Sequence, residues 1–341
     1  MGNYTGFDEP SWFNSPGMVF SSLMREEETI LGNDEIVMNK ITETCKKHNP
    51  PFVAVIGTPA PALIGVDYSG ISAELEKRTG VPTFGIDTTG FDSYCDGMAA
   101  TLSTMGNRFL PSYSEKVQNT VNILGYNNLD YCNDDDLHIL KSLLLSRGFE
   151  VNHIAGRSDI GSFIKIPEAE YNIVVSASAM AFAAYLEERY GTPFCYRLPI
   201  GGGVEDWEPV PDLEEEAAKR TISSDRGRFL IIGDQIMSDS LRSFIERRYG
   251  CTGDISTFFG FSKAIARPGD RCLQNENDLH DMLGEGRYDV VIADPLFEKF
   301  QDGPGTFIPL PHPAVSSRLY WHAHAGLFSP QIVDLLDGTF E

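Results

Sequence analysis

The sequence is short of cysteine and of basic residues, and each shortage argues against a class of protein. Its six cysteines among 341 residues include no CxxC pair, so a disulfide framework is not indicated and a reducing, cytoplasmic compartment is expected. Lys and Arg number 27 against 49 Asp and Glu, a net charge of −22. That charge argues against nucleic acid and anionic membrane surfaces as partners. There is no run of about 18 apolar residues, so no membrane span is predicted, and no secretory signal is recognised at the N-terminus.

What the sequence does contain is an alternation of short apolar runs and amphipathic helical segments. The runs end in small or acidic residues, which is typical of parallel strands covered by helices on both faces. Predicted strands form three groups: 52–57 and 82–87; then 121–125, 149–155, 171–175 and 193–198; then 228–234, 288–294 and 306–310. Helices are predicted at 34–47, 69–79, 135–147, 179–190 and 238–249.

Two connecting stretches separate these groups and set the predicted domain organisation. Residues 106–118 join the first two groups, and residues 201–227, rich in Gly and Pro with an acidic run, join the last two. The sequence therefore predicts three Rossmann-like, doubly wound parallel-sheet domains around a central cleft, with bounds at 1–112, 113–224 and 225–341. Ligands of such sheets bind beyond the carboxyl ends of the strands, which can converge on that cleft.

The first strand–turn–helix, residues 55–71, carries a recognisable order of motifs. It reads VIGTPAPALIGVDYSGI and does not match the phosphate-binding pattern GxxxxGK[ST]; a stiff turn explains its spacing as well as a ligand loop does. The order of its residues and of the following strand resembles the nitrogenase component 1 family. The residues that carry the resemblance are Thr58, Leu63-Ile64-Gly65, Asp67, Val81-Pro82 and Gly90-Phe91, and segments 20–32, 120–125 and 171–193 agree with it.

The resemblance implies a fold, a partner and an electron source. The family includes the nitrogenase α and β subunits, a cofactor-assembly scaffold and the dark-operative chlorophyllide-forming reductases. It implies a three-domain subunit that pairs with a homologous subunit or forms a homodimer. It also implies that the complex takes electrons from a nitrogenase reductase-like ATPase that carries an iron–sulfur cluster, and performs difficult reductions.

One departure from the family pattern concerns its iron–sulfur cluster at the subunit interface. The resemblance places a cluster-ligating Cys after the Thr of the first loop, and this sequence has Pro59 there, with no ligating atom. The other cluster cysteines belong to an N-terminal segment that this chain is expected largely to lack. Since a thiolate-held cluster needs about four cysteine ligands, we expect none to be held by this chain alone. A [4Fe-4S] cluster would be shared with, or supplied by, the partner.

A second departure concerns the family's central cofactor site. Ser176 stands where the resemblance places a cofactor-ligating Cys, and Ser is a poor ligand of iron, so a tetrapyrrole-like ligand is favoured over a metal cofactor. Ser176 and Ser178 lie in a small-residue turn before a helix, where an anionic group can bind. A close-packed turn explains the same small residues equally well.

One cysteine and three histidines complete the candidates. Cys95 follows a strand-to-helix turn, where a helix dipole can favour the thiolate, although a buried structural cysteine is the commoner interpretation. His312 is the nearest counterpart of the family's cofactor-binding His, with a polar loop histidine as the alternative. His322 and His324 would share one face of a strand, which can suit a metal. The candidate cofactor-binding residues are therefore Thr58, Pro59, Gly65, Asp67, Cys95, Ser176, Ser178 and His312, with no metal ligand or catalytic residue assigned.

Three functions remain open at this point. The first is a component 1-like subunit of a reductase complex that acts on a small molecule or tetrapyrrole-like ligand in the interdomain cleft. The second is a non-catalytic scaffold or carrier that binds a metallocofactor or tetrapyrrole, which the missing ligands favour. The third, a nucleotide-sugar transferase, fits the sheet pattern and explains none of the ordered motifs.

Overall fold

The chain divides into two compact units, Met1–Phe109 and Leu110–Glu341. The computed structural model describes residues 18–20, 34–57, 59–202, 227–284, 286–301, 305–323 and 326–340. Within the described residues the strands form three separate sheets, one in the first unit and two in the second. The predicted division of the second unit into domains 113–224 and 225–341 stays a prediction.

The first unit is built on a two-stranded parallel sheet. Strand β1 pairs with β2 along its whole length, and three phenylalanine rings, those of Phe52, Phe84 and Phe109, pack together with centroids 5.7–5.9 Å apart. Asp67 begins helix α3 by accepting a hydrogen bond from the Gly70 N–H at 2.9 Å. In chain order the elements are α1 (Asp34–His48), β1 (Val53–Ile56), α2 (Pro59–Leu63), α3 (Tyr68–Thr79), β2 (Thr83–Ile86) and α4 (Tyr94–Phe109).

The second sheet has four parallel strands in the order β4-β3-β5-β6. Hydrogen bonds between asparagine side chains connect three of its strands. The Asn152 amide donates to Asn122, and the Asn122 amide donates to Asn172 at 2.8 Å. The elements are β3 (Val117–Leu124), α5 (Asp135–Ser146), β4 (Glu150–Ile154), α6 (Ile160–Ile164), β5 (Ala169–Val174), α7 (Met180–Tyr190) and β6 (Phe194–Cys195).

The third sheet has five parallel strands in the order β11-β10-β7-β8-β9. A short 3₁₀ helix, Pro295–Phe300, connects β10 to β11. The elements are β7 (Arg228–Ile232), α8 (Gln235–Tyr249), β8 (Thr252–Thr257), β9 (Arg271–Cys272), α9 (Glu276–Gly284), β10 (Val290–Ala293), β11 (Thr306–Pro309), α10 (Pro313–Ser316) and α11 (Gln331–Phe340).

One apolar core joins the second and third sheets. Alternate residues of β7 point to opposite faces, so Phe229 and Ile231 enter this core while Leu230 and Ile232 enter a second cluster with helix α9. The shared core also takes Ile123 from β3. Burial of both faces is what the near-continuous apolar strand patterns predict, and the α/β class with parallel sheets is confirmed.

The strand orders place a topological switch point in each of these two sheets. Numbered along the chain, the third sheet reads 5-4-1-2-3, and its strand order reverses between β7 and β10. The second sheet reads 2-1-3-4, with its reversal between β3 and β5. At each switch point, the chain segments that follow two neighbouring strands pass to opposite faces of the sheet. This opens a crevice at the carboxyl ends of the strands, where ligands of such folds bind.

The structure also contains elements that the sequence pattern did not indicate. Strand β8 and the two-residue β9 were not predicted, and neither were helices α4, α9 and α11. Helix α4 extends into the predicted connection 106–118, and most of the predicted connection 201–227 lies outside the described residues. No helix in the described ranges has the length and apolar character needed to cross a membrane.

Gly85 of β2 lies against the start of helix α3 and gives a test of the packing in the first unit. A Cβ at Gly85 would lie 2.7 Å from the Tyr68 carbonyl oxygen, so Gly85→Ala is expected to destabilise the protein by about 1–3 kcal/mol. Gly97→Ala, in helix α4, is the matched control, because its Cβ would meet only Thr88 Cγ2 at 3.8 Å. That change is expected to be neutral or stabilising. Urea unfolding followed by circular dichroism gives both values, and equal stabilities would contradict the packing described.

Candidate functional site

The first-loop candidates of the first unit have structural roles in the fold. Pro59 is the first residue of α2, Gly65 adopts a left-handed backbone at φ +70°, and Asp67 caps α3. The Pro59 ring lies against Gly90, since a Cβ there would be 2.7 Å from Pro59 Cδ. These roles account for the residues without a ligand, and their part in ligand binding stays a prediction.

Of the two remaining first-unit candidates, Cys95 is the one that the structure describes. Cys95 is the second residue of α4 and only 3% exposed, so its thiol lies inside the fold rather than at the loop surface. Thr58 lies outside the described residues.

In the second unit, Asp234 connects the switch points of the two sheets. It follows β7 and caps helix α8, with Oδ1 accepting hydrogen bonds from the N–H groups of Ile236 at 2.9 Å and Met237 at 3.1 Å. Its other oxygen, Oδ2, accepts the N–H of Ala177 at 2.9 Å, in the turn that follows β5 of the neighbouring sheet. One carboxyl group therefore fixes the carboxyl end of β7 to that of β5.

Ser176 and Ser178 lie in that same turn and are fully buried. Their hydroxyl oxygens are 2.9 Å apart, and Ser176 Oγ also accepts the Ser178 N–H at 3.2 Å. Ser176 Oγ lies 3.5 Å from Asp234 Oδ2. The structure thus brings Ser176 to Asp234 and Ser178 to Ser176, and the two hydroxyl groups bond to one another rather than facing open space.

His312 reaches the same place from the end of β11. Its ring stacks on Phe259 with centroids 4.6 Å apart, and its Nε2 lies 3.6 Å from Oδ1 of Asp130, in the loop after β3. Asp294, which follows β10, accepts the backbone N–H of His312 at 2.8 Å and the Ser316 hydroxyl at 2.7 Å. We call Asp130, Ser176, Asp234, Asp294 and His312 the polar centre.

Burial and charge perturb the ionisation of Asp234. Its side chain is 1% exposed. Loss of solvent first, and the nearby Asp130 carboxylate second, raise its pKa from 3.8 to about 7, against the opposing effect of its three backbone N–H bonds. A buried carboxyl group that titrates near neutrality at a switch point is a candidate for proton chemistry.

A small cavity lies beside these groups. It has a volume of about 20 Å³ and is lined on its polar side by Asp234, Ser238 and His312, with Met237, Leu241 and Leu327 on its apolar side. A buried water needs roughly 10–15 Å³ and two or more polar partners, so the cavity has space for one water molecule.

The family's cofactors do not fit this centre as it is folded. A cluster or tetrapyrrole is far larger than the cavity, and the Ser176 hydroxyl already bonds to Ser178. In the part of the chain that the structure describes, no three His, Cys, Asp or Glu side chains come together as metal ligands. An organic ligand would therefore bind outside the polar centre, and we derive no chemical step through a cofactor.

Three acidic residues of the polar centre were missed by the sequence reasoning. Each of them follows a strand at a switch point: Asp130, Asp234 and Asp294. The signal in the sequence that could have found them is an acidic residue after an apolar run.

The strand arrangement considered for His322 and His324 is wrong at His322, because His322 lies in a short 3₁₀ helix, Trp321–Ala323. His324 itself lies outside the described residues.

A larger cavity, of about 270 Å³, lies at the opposite edge of the third sheet. It is lined at the amino ends of β10 and β11 by residues that include Tyr288, Gln301 and Gly305. None of the predicted site residues lines it, and ligands of parallel sheets bind at the other edge.

Comparison with known proteins identifies a family over more than half of the chain. Residues 6–206 match the family described as "Nitrogenase component 1 type Oxidoreductase". The iron-molybdenum cofactor biosynthesis protein NifE of Clostridium pasteurianum is 27% identical over 185 residues, 51% of this chain and 38% of that protein. One of the subunits of the light-independent protochlorophyllide reductase of Rippkaea orientalis is 23% identical over 295 residues, 81% of this chain and 56% of that protein.

Solved structures agree on the fold. "Nitrogenase Cp1 at pH 6.5" superposes with a TM-score of 0.67 at 15% identity and covers 96% of this chain and 83% of its own. "Nitrogenase Cp1 at pH 5" gives 0.66 at 17% identity, over 93% and 77%. The chain spans about two fifths to just over half of the length of the curated relatives named above.

The raised pKa of Asp234 predicts a pH dependence of stability. An acid whose pKa is higher in the folded protein binds more protons there than in the unfolded chain, so its stabilising contribution falls as pH rises from about 4 to about 7. Asp234→Asn removes the titrating group, and the difference in unfolding free energy between wild type and variant should shrink across this window. Urea titrations at stepped pH measure it; a difference that grows with pH would contradict the assignment.

Proposed function

This chain belongs to the nitrogenase component 1 type oxidoreductase family, and from that membership we propose that it is one subunit of a reductase complex. The complex receives electrons from an ATP-dependent iron–sulfur reductase and reduces a small molecule or tetrapyrrole-like ligand. The observation that carries the proposal is the convergence of Ser176 and His312 on Asp234 at two facing switch points. These two residues are the positions that the resemblance assigns to the cofactor site.

The residues of this chain contribute a buried, hydrogen-bonded frame beside which a ligand is reduced. Ser176 and Asp234 fix the turn before helix α7 by accepting the N–H groups of Ser178 and Ala177, and the positive end of the helix dipole favours a ligand with an anionic group. His312 is positioned by its backbone bond to Asp294 and by stacking on Phe259. Iron–sulfur chemistry, when present in the assembled complex, supplies the electrons.

The partner is proposed to be a homologous component 1-like subunit. Pro59 carries no ligating atom and Cys95 is buried, so the ligands of any interface cluster would come mainly from the other chain. The charge of −22 favours a partner whose docking face is basic, because complementary charge speeds and orients association.

This division of ligands predicts the iron content of the purified protein. The chain purified alone without oxygen should hold far less than the roughly four irons of one [4Fe-4S] cluster, because that cluster takes about four thiolate ligands. Co-expression with a homologous partner should give a complex that holds a cluster. Iron and acid-labile sulfide analysis measures both, with Pro59→Cys as a variant that restores one thiol only and should leave the lone chain without a cluster. A full cluster in the lone wild-type chain would contradict the proposal.

A second candidate function is a scaffold or carrier without turnover. It is favoured by the hydrogen bonds that already engage Ser176, the position that the resemblance assigns to a cofactor ligand. The reductase subunit requires ATP-dependent electron transfer to substrate in the assembled complex, whereas a scaffold binds and releases its cargo with no dependence on ATP. Electron transfer from the reductase, measured with and without ATP, separates the two.

A further inference from the structure

We propose that the cavity of about 270 Å³ at the amino ends of β10 and β11 binds a small organic cation: an apolar body of one ring or a short chain that carries an amidinium or ammonium group. This site lies at the opposite edge of the third sheet from the polar centre, and no residue of the polar centre lines it. It is therefore independent of the reduction proposed above.

The size and the walls of the cavity suit the apolar body. An apolar protein cavity of about 150 Å³ is enough to hold a benzene ring, and this one is larger. Its walls include Val291 of β10, which is 2% exposed, and Leu283 and Tyr288, which pack against the apolar cluster of helix α9. A ligand of this size would therefore bury apolar surface against these three side chains.

Asp289 gives the cavity its charge. It is the only residue with a charged side chain among the described residues that line the cavity. Its Oδ2 accepts the backbone N–H of Arg228 at 2.8 Å, which holds the carboxyl group at this edge of the sheet. A carboxylate has about four acceptor positions on its two oxygens, so Asp289 can also accept N–H groups of a cation.

Gln301 adds a neutral acceptor. Its Nε2 donates to the Gly305 carbonyl at 2.6 Å, and this bond sets the direction of the amide. The other end of the amide, Oε1, is buried and accepts no hydrogen bond from the residues that the structure describes. A buried oxygen without a donor costs free energy, so a ligand N–H that reached Oε1 after a small shift of the amide would recover that cost.

The end of helix α9 favours the same sign of charge. Leu283 lies in the last turn of this helix and Gly286 lies just beyond it, and both line the cavity. The carboxyl end of a helix carries the negative end of its dipole, which favours a cation close by.

The arginines near this edge do not reverse the charge that a ligand meets. The guanidinium carbons of Arg228 and Arg287 each lie 5.8 Å from the centre of the Tyr288 ring. Arg228 is paired with Asp254 at 2.7 Å, and the Tyr288 hydroxyl donates to the same carboxyl oxygen at 2.9 Å. Neither arginine is among the residues that line the cavity, so the charge at its wall is that of Asp289.

Three probes of one shape and different charge test the proposal: benzamidinium, neutral benzamide and anionic benzoate. Each is titrated into the full chain labelled at Leu and Val methyl groups, and methyl NMR follows Leu283 and Val291. Benzamidinium should shift both signals to saturation, benzamide should bind about threefold or more weakly, and benzoate more weakly still.

A pair of matched variants assigns the charge. Asp289→Asn should weaken benzamidinium binding by about threefold or more and leave benzamide binding within about twofold. Asp281→Asn removes the same charge from an exposed position of helix α9 that does not line the cavity. Its affinity for benzamidinium should stay within about twofold of the wild type, which separates the site from the general attraction of a chain of charge −22.

The proposal is overturned by no saturable shift at Leu283 and Val291 up to about 10 mM benzamidinium. Equal affinity for the three probes, or equal weakening by Asp289→Asn and Asp281→Asn, would also overturn it. Should Asp289→Asn fail to fold, the order of the three probes on the wild type still decides the question. The measurement needs no partner, cofactor or reductase, so its failure leaves the proposed function untouched.

Discussion

The second unit of this protein depends on one carboxyl group that serves two sheets. Asp234 caps the helix that follows the first strand of the third sheet, and it also accepts a backbone N–H from the turn after β5 of the second sheet. A helix cap alone contributes about 1 kcal/mol. A buried acceptor with donors from two sheets also fixes their mutual register, because its loss would leave the Ala177 N–H buried without this acceptor. The shared apolar core holds the sheets together, and Asp234 fixes how their carboxyl ends face each other.

The electrostatics of the polar centre follow from that arrangement. Parallel strands that end in aspartate place acidic groups at one edge of a sheet, where helix N-termini offset their charge. Asp294 repeats the pattern of Asp234, since one oxygen caps its own 3₁₀ helix and the other accepts from His312 and Ser316. Backbone N–H groups therefore replace much of the solvation that these carboxyl groups lose. Where the two sheets face each other, burial and the nearby Asp130 carboxylate raise the pKa of Asp234.

Much of the fold was predictable from local pattern, whereas the site depended on strand order. Strands such as β7 and β10 are recognisable as apolar runs bounded by acids, and their observed ends lie within two residues of the prediction. Strand β8 was missed because Thr252–Thr257 is polar and contains Gly253 and Asp254, although four of its six residues are buried. Helix α4 was not predicted because its two glycines, one serine and two threonines are typical of a connecting segment rather than of a helix.

The candidate site shows the same limit. Ser176 and His312 were singled out separately, through a family resemblance, and they are 136 residues apart in the chain. Their convergence on Asp234 follows from the strand orders 2-1-3-4 and 5-4-1-2-3, which no local pattern specifies. Asp130 and Asp294 were passed over for the same reason, since an acid at the end of a strand becomes part of a site only when its neighbours in the sheet are known.

The same hydrogen bonds that build the polar centre restrict what it can bind. Ser176 and Asp234 already accept hydrogen bonds from protein donors, so a metal would compete with bonds that hold two sheets together. A ligand that bound outside the centre would leave those bonds intact and would still feel the helix N-terminus and the buried acids. The 20 Å³ cavity beside these groups can hold one water molecule. The geometry therefore gives these side chains a structural part: their hydrogen bonds hold two sheets together, and a metallocofactor in the same place would have to break those bonds.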